Sequence, residues 1–117
     1  MKKNVVKDKS YQFSIRIVRL CQRLQKERNE YVLSKQLLRS GTAPGAMVRE
    51  AEHAQSKADF INKMSIGLKE INESIYWINL LYDTDYVEID DYESLIADAE
   101  EVLKLFISIV KSSKNSR

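Results

Sequence analysis

Apolar residues recur along this 117-residue chain at alternating spacings of three and four, the rhythm that gathers them on one face of a helix. Phe13, Ile17, Leu20 and Leu24 begin it and predict a helix over residues 10–28. Arg28-Asn29 closes that pattern, and Asn29 stands where it can cap a second helix with Glu30 in its first turn. The cleanest run is Ile61, Met64, Leu68, Ile71, Ile75, Ile78 and Tyr82, which predicts a helix over 57–83 with a seam like that of a coiled coil or bundle. Ser56-x-x-Asp59 supplies a capping box at its start, with Asp in place of the usual longer Glu. The acidic stretch "DTDYVEIDD" breaks the phase. A last helix then follows over 91–112, capped by Asp90 or Asp91, with Leu95, Ala99, Val102, Phe106, Ile109 and Val110 inward. The closing "KSSKNSR" is expected to fray.

The segment between the first two runs is ambiguous on its face. "RSGTAPGAMVREAEHAQSKADF", residues 39–60, contains Gly41, Gly45, the only proline and the only histidine, and looks like a loop. Its apolar and small residues nevertheless stay in phase: Leu33, Leu37, Gly41, Pro44 or Gly45, Val48, Ala51 and Gln55. A loop has no reason to keep that phase. Residues 30–55 therefore read as one helix, bent near Pro44, although each Gly costs about 1 kcal/mol relative to Ala and a Pro roughly 3 kcal/mol. Such a cost implies a packing role, with Gly41, Ala43, Gly45, Ala46, Ala51 and Ala54 forming a strip where a neighbouring backbone comes close. The reading is all-α: an antiparallel up-and-down four-helix bundle, a single domain over residues 1–117.

Composition agrees. Three glycines and one proline are too few for a many-turned β protein. The single Cys21 allows no disulfide framework or cysteine-based zinc site within one chain. No apolar run has the length of a transmembrane helix, and "MKKNVVKDKSYQF" lacks the apolar core of a signal peptide, so a cytoplasmic protein without a membrane partner is expected. The net charge of +2 hides a segregation: residues 1–63 hold 14 basic and 6 acidic side chains, residues 64–117 hold 5 and 11. Apart from plain solvation, that dipole suggests either a polyanion partner for the first half or head-to-tail contact between copies.

Catalytic chemistry finds little support. Glu50 and His53 have the Glu-x-x-His spacing of di-iron bundles, but that site needs a second such histidine, and the chain owns one. "SGTAPG" lacks the Lys-Ser/Thr ending of a phosphate-binding P-loop and follows no strand. Arg49 and His53 are similar to the Arg-His pair of HEPN ribonucleases, at a shorter spacing. The chain is accordingly read as a non-enzyme with no catalytic residue, metal or cofactor. Glu70 and Glu73 read as solvated or interhelical ion-pair partners, and Trp77 as either secondary core or a subunit-contact anchor. The basic residues say more. Arg16, Arg19, Arg23 and Lys26 form a stripe beside the apolar face of the first helix, and Tyr11 to Lys26 contains no acid. Lys35 and Arg39 lie one turn apart on the second helix, with Arg49 farther along it. Together these seven are the candidate nucleic-acid-binding residues, with no base-reading motif beside them.

Residues 37–81, "LLRSGTAPGAMVREAEHAQSKADFINKMSIGLKEINESIYWINLL", resemble the four-helix-bundle family named for proteins encoded in intervening sequences of 23S ribosomal RNA genes. The likeness rests on Arg39-Ser40-Gly41-Thr42, Gly45-Ala46, Arg49-Glu50-Ala51, Ser56-Lys57, Asp59-Phe60, Lys63-Met64, Lys69-Glu70 and Tyr76-Trp77. Ala43-Pro44 stands where that family usually has Ser-Ile, and Met47-Val48 where it has Asn-Ile. The resemblance implies a bundle that assembles into a ring, a pentamer. It also implies kinship with accessory proteins of diversity-generating retroelements, whose basic pentameric barrels engage RNA and a reverse transcriptase. It brings no catalytic residues. The expected function is that of a non-enzymatic, oligomeric nucleic-acid-binding bundle, with RNA preferred over DNA through the resemblance alone. The alternatives are a scaffold ring that contacts a partner protein without touching nucleic acid and, third, a HEPN-like nuclease.

Overall fold

A computed structural model describes residues 4–116. Four helices follow one another: α1 (Val5–Arg28), α2 (Leu33–Ala51), α3 (Lys57–Asp83) and α4 (Ile89–Asn115). Each packs on its chain neighbours, and α1 closes the circle against α4, while the backbones of the diagonal pairs stay apart. The architecture is the four-helix bundle that the periodicity predicts.

Helix ends are set by caps, and here the sequence reading needs correction. α1 starts at Val5 and not at residue 10, because the Asn4 side chain accepts the Lys7 N–H at 3.1 Å and Val6 is buried. Asn29 does not cap α2. It ends α1 in the left-handed region, at φ 53° and ψ 32°, a conformation Asn tolerates better than most residues. The capping of α2 falls to Glu30, whose carboxylate accepts the backbone N–H groups of Val32, Leu33 and Ser34 at 3.0, 2.9 and 2.7 Å. α2 stops at Ala51, short of residue 55, in tight turns where His53 N–H donates to Glu50 O and Ala54 N–H to Ala51 O. Ser56 then goes extended and accepts the Asp59 N–H at 3.0 Å, as the capping box requires. The shorter Asp59 carboxylate takes the N–H of Gln55, one residue upstream of the cap. α4 begins with Glu88 at its cap position and no side-chain cap. Asp90 and Asp91 sit inside the first turn, where acids favour the helix electrostatically. The expected fraying is not seen over residues 111–115, which continue α4, and Arg117 lies outside the described residues.

The segment Gly41–Gly45 is helical, with Pro44 buried inside α2. Of the expected strip of small residues, Gly41 and Gly45 serve the contact that the phase implied, while Ala46 is exposed. A Cβ built on Gly41 would lie 2.7 Å from Ile17 Cγ2, and one on Gly45 would lie 3.2 Å from Ser14 Oγ and 3.5 Å from the Ser10 carbonyl. α1 thus lies close against α2. Ser14 Oγ donates to the Ser10 carbonyl at 3.0 Å, so the hydroxyl is satisfied at the contact with α2.

The core differs from the predicted seam on α3. Met64, Ile71 and Ile78 are buried as expected, but their buried companions are Gly67, Ser74 and Leu81, while Ile61, Leu68, Ile75 and Tyr82 are only half-buried. Gly67 faces Phe106, and Ser74 Oγ meets Ser40 Oγ of α2 at 3.1 Å. Cys21 lies in the core with its thiol 3.2 Å from the Ser34 carbonyl. Burial first, and the Glu30 charge second, push that thiol up to about 12, so it is an unreactive core side chain.

Candidate nucleic-acid interface

α1 turns its two flanks to different neighbours. One flank carries Lys9, Arg16 and Arg23, each seven residues from the next, a spacing that keeps side chains on one helix face. α4 runs alongside with Asp91 and Asp98, also seven apart, and Glu101. The two rows meet rung by rung. Arg23 Nη2 lies 3.4 Å from Asp91 Oδ2, Arg16 Nη1 lies 2.5 Å from Asp98 Oδ2, and Lys9 Nζ lies 3.4 Å from Glu101 Oε1. Arg16 also donates to the Ser94 carbonyl at 3.3 Å. Much of the charge segregation in the sequence is therefore satisfied inside the molecule, a third explanation beside a polyanion and a second copy.

Arg16, Arg19 and Arg23 rim a cavity of about 150 Å³ between α1 and α4, with Asp91 on its far side and an apolar floor of Leu20, Val87 and Leu95. Arg19 is exposed and has no ion-pair partner among the described residues. Lys26 and Lys35 are exposed as well. Arg39 lies elsewhere. Its Nη1 is 2.9 Å from Glu70 Oε1 and its Nη2 meets Glu73, which ties α2 to α3. Trp77 Nε1 donates to the same Glu73 at 2.9 Å, and Tyr76 packs edge-on against Trp77 with ring centroids 4.9 Å apart. The Trp77 N–H, followed by the Arg39 charge, overcomes partial burial and holds the Glu73 carboxyl below its usual range. Arg49 stands over the Tyr11 ring at 5.4 Å, a cation–π contact across α1 and α2. The seven basic residues thus do not form one patch. Arg16, Arg19 and Arg23 share a groove, while Arg39 and Arg49 serve interhelical contacts.

The sequence reading passed over a second surface. Tyr11, Ile15 and Val18 follow one another at spacings of four and three on α1, away from the core face. Tyr11 is 52% exposed, and Ile15 and Val18 are half-buried. Thr42, Gly45 and Ala46 of α2 continue this strip across a shallow groove. The signal was present in the spacing, masked by the stronger core pattern beside it. His53 sits exposed in the α2–α3 turn and not on a helix, which removes the helical Glu-x-x-His geometry that a di-iron centre needs. Among the described residues no three His, Cys, Asp or Glu side chains converge as metal ligands, and no helix is long and apolar enough to cross a membrane.

Fold and surface together define a small four-helix bundle with an arginine-rimmed groove and, on the other side of Arg19, a partly exposed apolar strip. The family model described as 23S rRNA-intervening sequence protein matches residues 2–108, and the chain belongs to that family. It is similar to a crystal structure, at 1.70 Å resolution, of a protein of unknown function from the S23 ribosomal protein family of Bacteroides thetaiotaomicron VPI-5482. The two are 58% identical, the match covers 95% of this chain and 99% of that one, and the TM-score is 0.91. No curated protein matches the chain significantly.

Proposed function

We propose that this protein is a non-enzymatic RNA-binding bundle of the cytoplasm that works as a closed homo-oligomer, with five copies the favoured number. The observation that carries the nucleic-acid-binding reading is the convergence of Arg16, Arg19 and Arg23 on one groove, and RNA over DNA rests on the family resemblance alone. Guanidinium groups suit phosphate, and a face without base-reading residues binds the backbone with little sequence preference. Ring assembly is supported by the Tyr11–Ile15–Val18 strip, which the bundle core leaves uncovered, and five copies by the family resemblance alone. Repeating the groove around a ring adds weak contacts through multivalency.

Changing Arg16, Arg19 and Arg23 together to Gln tests the reading. RNA affinity at low salt is expected to fall roughly tenfold or more, and the salt slope by at least about 0.7, the contribution of one single-strand phosphate contact. Helicity is expected to persist, because Gln and Arg have similar helix propensity and exposed ion pairs contribute about 0–1 kcal/mol each. A triple variant that binds as tightly as the parent at every salt concentration moves the binding site elsewhere. The pairing of Arg16 and Arg23 with α4 favours one alternative, a scaffold ring for a partner protein. That alternative takes first place if the parent binds no RNA at low salt. Native mass spectrometry at moderate salt is expected to find a closed oligomer, and solely monomer would remove the ring.

A further inference from the structure

Asp91 and Asp98 approach Arg23 and Arg16 as phosphates would, since carboxylate and phosphodiester oxygens compete for the same guanidinium donors. Between these closed positions on α1 lies Arg19, which rims the same groove with its guanidinium open. Water reaches both closed pairs: side-chain exposure is 36% and 44% for Arg16 and Asp98, and 47% and 58% for Arg23 and Asp91. Pairs this wet are held weakly and exchange readily for another anion.

Resting on the RNA-binding reading, we infer that α4 is a built-in competitor for the groove: Asp91 and Asp98 occupy the two positions that backbone phosphates of single-stranded RNA take on binding, and Arg19 makes the first contact. The charge segregation of the chain then has a use. It lets a bundle of modest net charge carry an arginine face that opens only to a polyanion able to engage several arginines at once. Salt dependence carries the signature. A phosphate that takes Arg16 or Arg23 frees RNA-bound cations, but the displaced carboxylate gathers cations in turn, so those contacts add little to the slope.

The test measures binding of a short unstructured single-stranded RNA across salt concentrations by the parent, by Asp91→Asn/Asp98→Asn, and by Glu93→Gln/Glu100→Gln. The last pair removes the same charge from exposed positions of α4 that make no ion pair among the described residues. The Asp91→Asn/Asp98→Asn protein is expected to bind about tenfold more tightly at low salt with a slope steeper by about one, since up to two contacts at about 0.7 each become visible. The Glu93→Gln/Glu100→Gln protein is expected to stay within about threefold of the parent, with its slope unchanged. Asp91 also stabilises the first turn of α4, so Asp98→Asn alone, in mid-helix, serves where the double variant loses helicity, with about half the effect. Equal gains in the two double variants overturn the proposal and leave RNA binding standing, as does an Asp98→Asn protein with unchanged affinity and slope. If neither the parent nor the Asp91→Asn/Asp98→Asn protein binds at low salt, the RNA-binding reading itself fails.

Discussion

Replacing Gly67 with Ala is expected to destabilise the bundle by about 2 kcal/mol, although alanine is the better helix former by about 1 kcal/mol. A Cβ at this position would lie 2.3 Å from Phe106 Cε1, with Cζ and Cδ1 at 3.0 and 3.2 Å. Phe106 is fully buried, so its ring has no open space to swing into. α3 and α4 must separate or the ring must leave its rotamer, and overpacking of this kind costs about 1–3 kcal/mol and sometimes more. Gly45→Ala supplies the contrast. Its nearest neighbour is the Ser14 hydroxyl at 3.2 Å, which can rotate, so the propensity gain should leave that variant between neutral and about 1 kcal/mol more stable. Chemical denaturation of both variants checks the pair, and Phe106→Leu in the Gly67→Ala background is expected to recover part of the loss. A Gly67→Ala protein as stable as the parent would show that α3 can move away from α4 at little cost.

The same glycine shows where the sequence was legible and where it was not. Periodicity located four helices because apolar side chains at spacings of three and four must share a face, and it carried α2 through Gly41–Gly45. It misjudged which face of α3 is most buried, because Gly67 and Ser74 do not register as apolar. A glycine becomes core only when a partner supplies the bulk, here Phe106, and that partner lies far away in sequence. Helix ends were misread for a related reason. Asn29 and Asp90 have the chemistry of caps, but backbone conformation decides which side chain reaches the free N–H groups. The left-handed turn at Asn29 hands that task to Glu30.

At the interface, the stripe Arg16, Arg19, Arg23 and Lys26 was legible as a helical row, yet its pairing was not read. Lys9, Arg16 and Arg23 repeat at seven, as do Asp91 and Asp98. A bundle in which α4 returns beside α1 brings such rows together, so the ladder could have been found once the topology was assumed. Sequence position alone places Arg39 beside the stripe, on the neighbouring helix. Its side chain instead reaches Glu70 and Glu73, which settles the ambiguity of those acids as an interhelical ion pair. Trp77 joins them through its indole N–H and packs against the core while only half-buried. Of the residues that carry the family likeness, Arg39 and Glu70 thus hold α2 to α3, and Trp77 bonds their partner Glu73 from within α3.

Glu30→Ala is expected to cost about 2–3 kcal/mol at neutral pH, more than an ordinary cap. Typical N-caps contribute about 1 kcal/mol through one hydrogen bond, whereas this carboxylate accepts three backbone N–H groups at the start of α2, and the last belongs to the buried Ser34. Hydrogen bonds to a charged acceptor are each worth about 1.5–3 kcal/mol, discounted where water can replace the lost partner, as at exposed Val32. Glu30→Gln keeps an acceptor oxygen and should lose about half as much. Acid supplies the independent check. Burial alone would raise the Glu30 carboxyl, but the N–H groups of Leu33, Ser34 and Val32 and the Ser34 hydroxyl outweigh it and hold the group below its ordinary value of 4.5. A carboxyl depressed by folding adds stability that is fully present above the unfolded value and lost as pH falls through the folded one. The stability gap between the parent and Glu30→Gln should therefore be widest at pH 6–7 and shrink as the pH drops below about 4. Urea denaturation of both proteins across that range reads it directly. A gap that stays constant down to pH 3 would mean that shape, and not the carboxylate charge, holds the turn between α1 and α2.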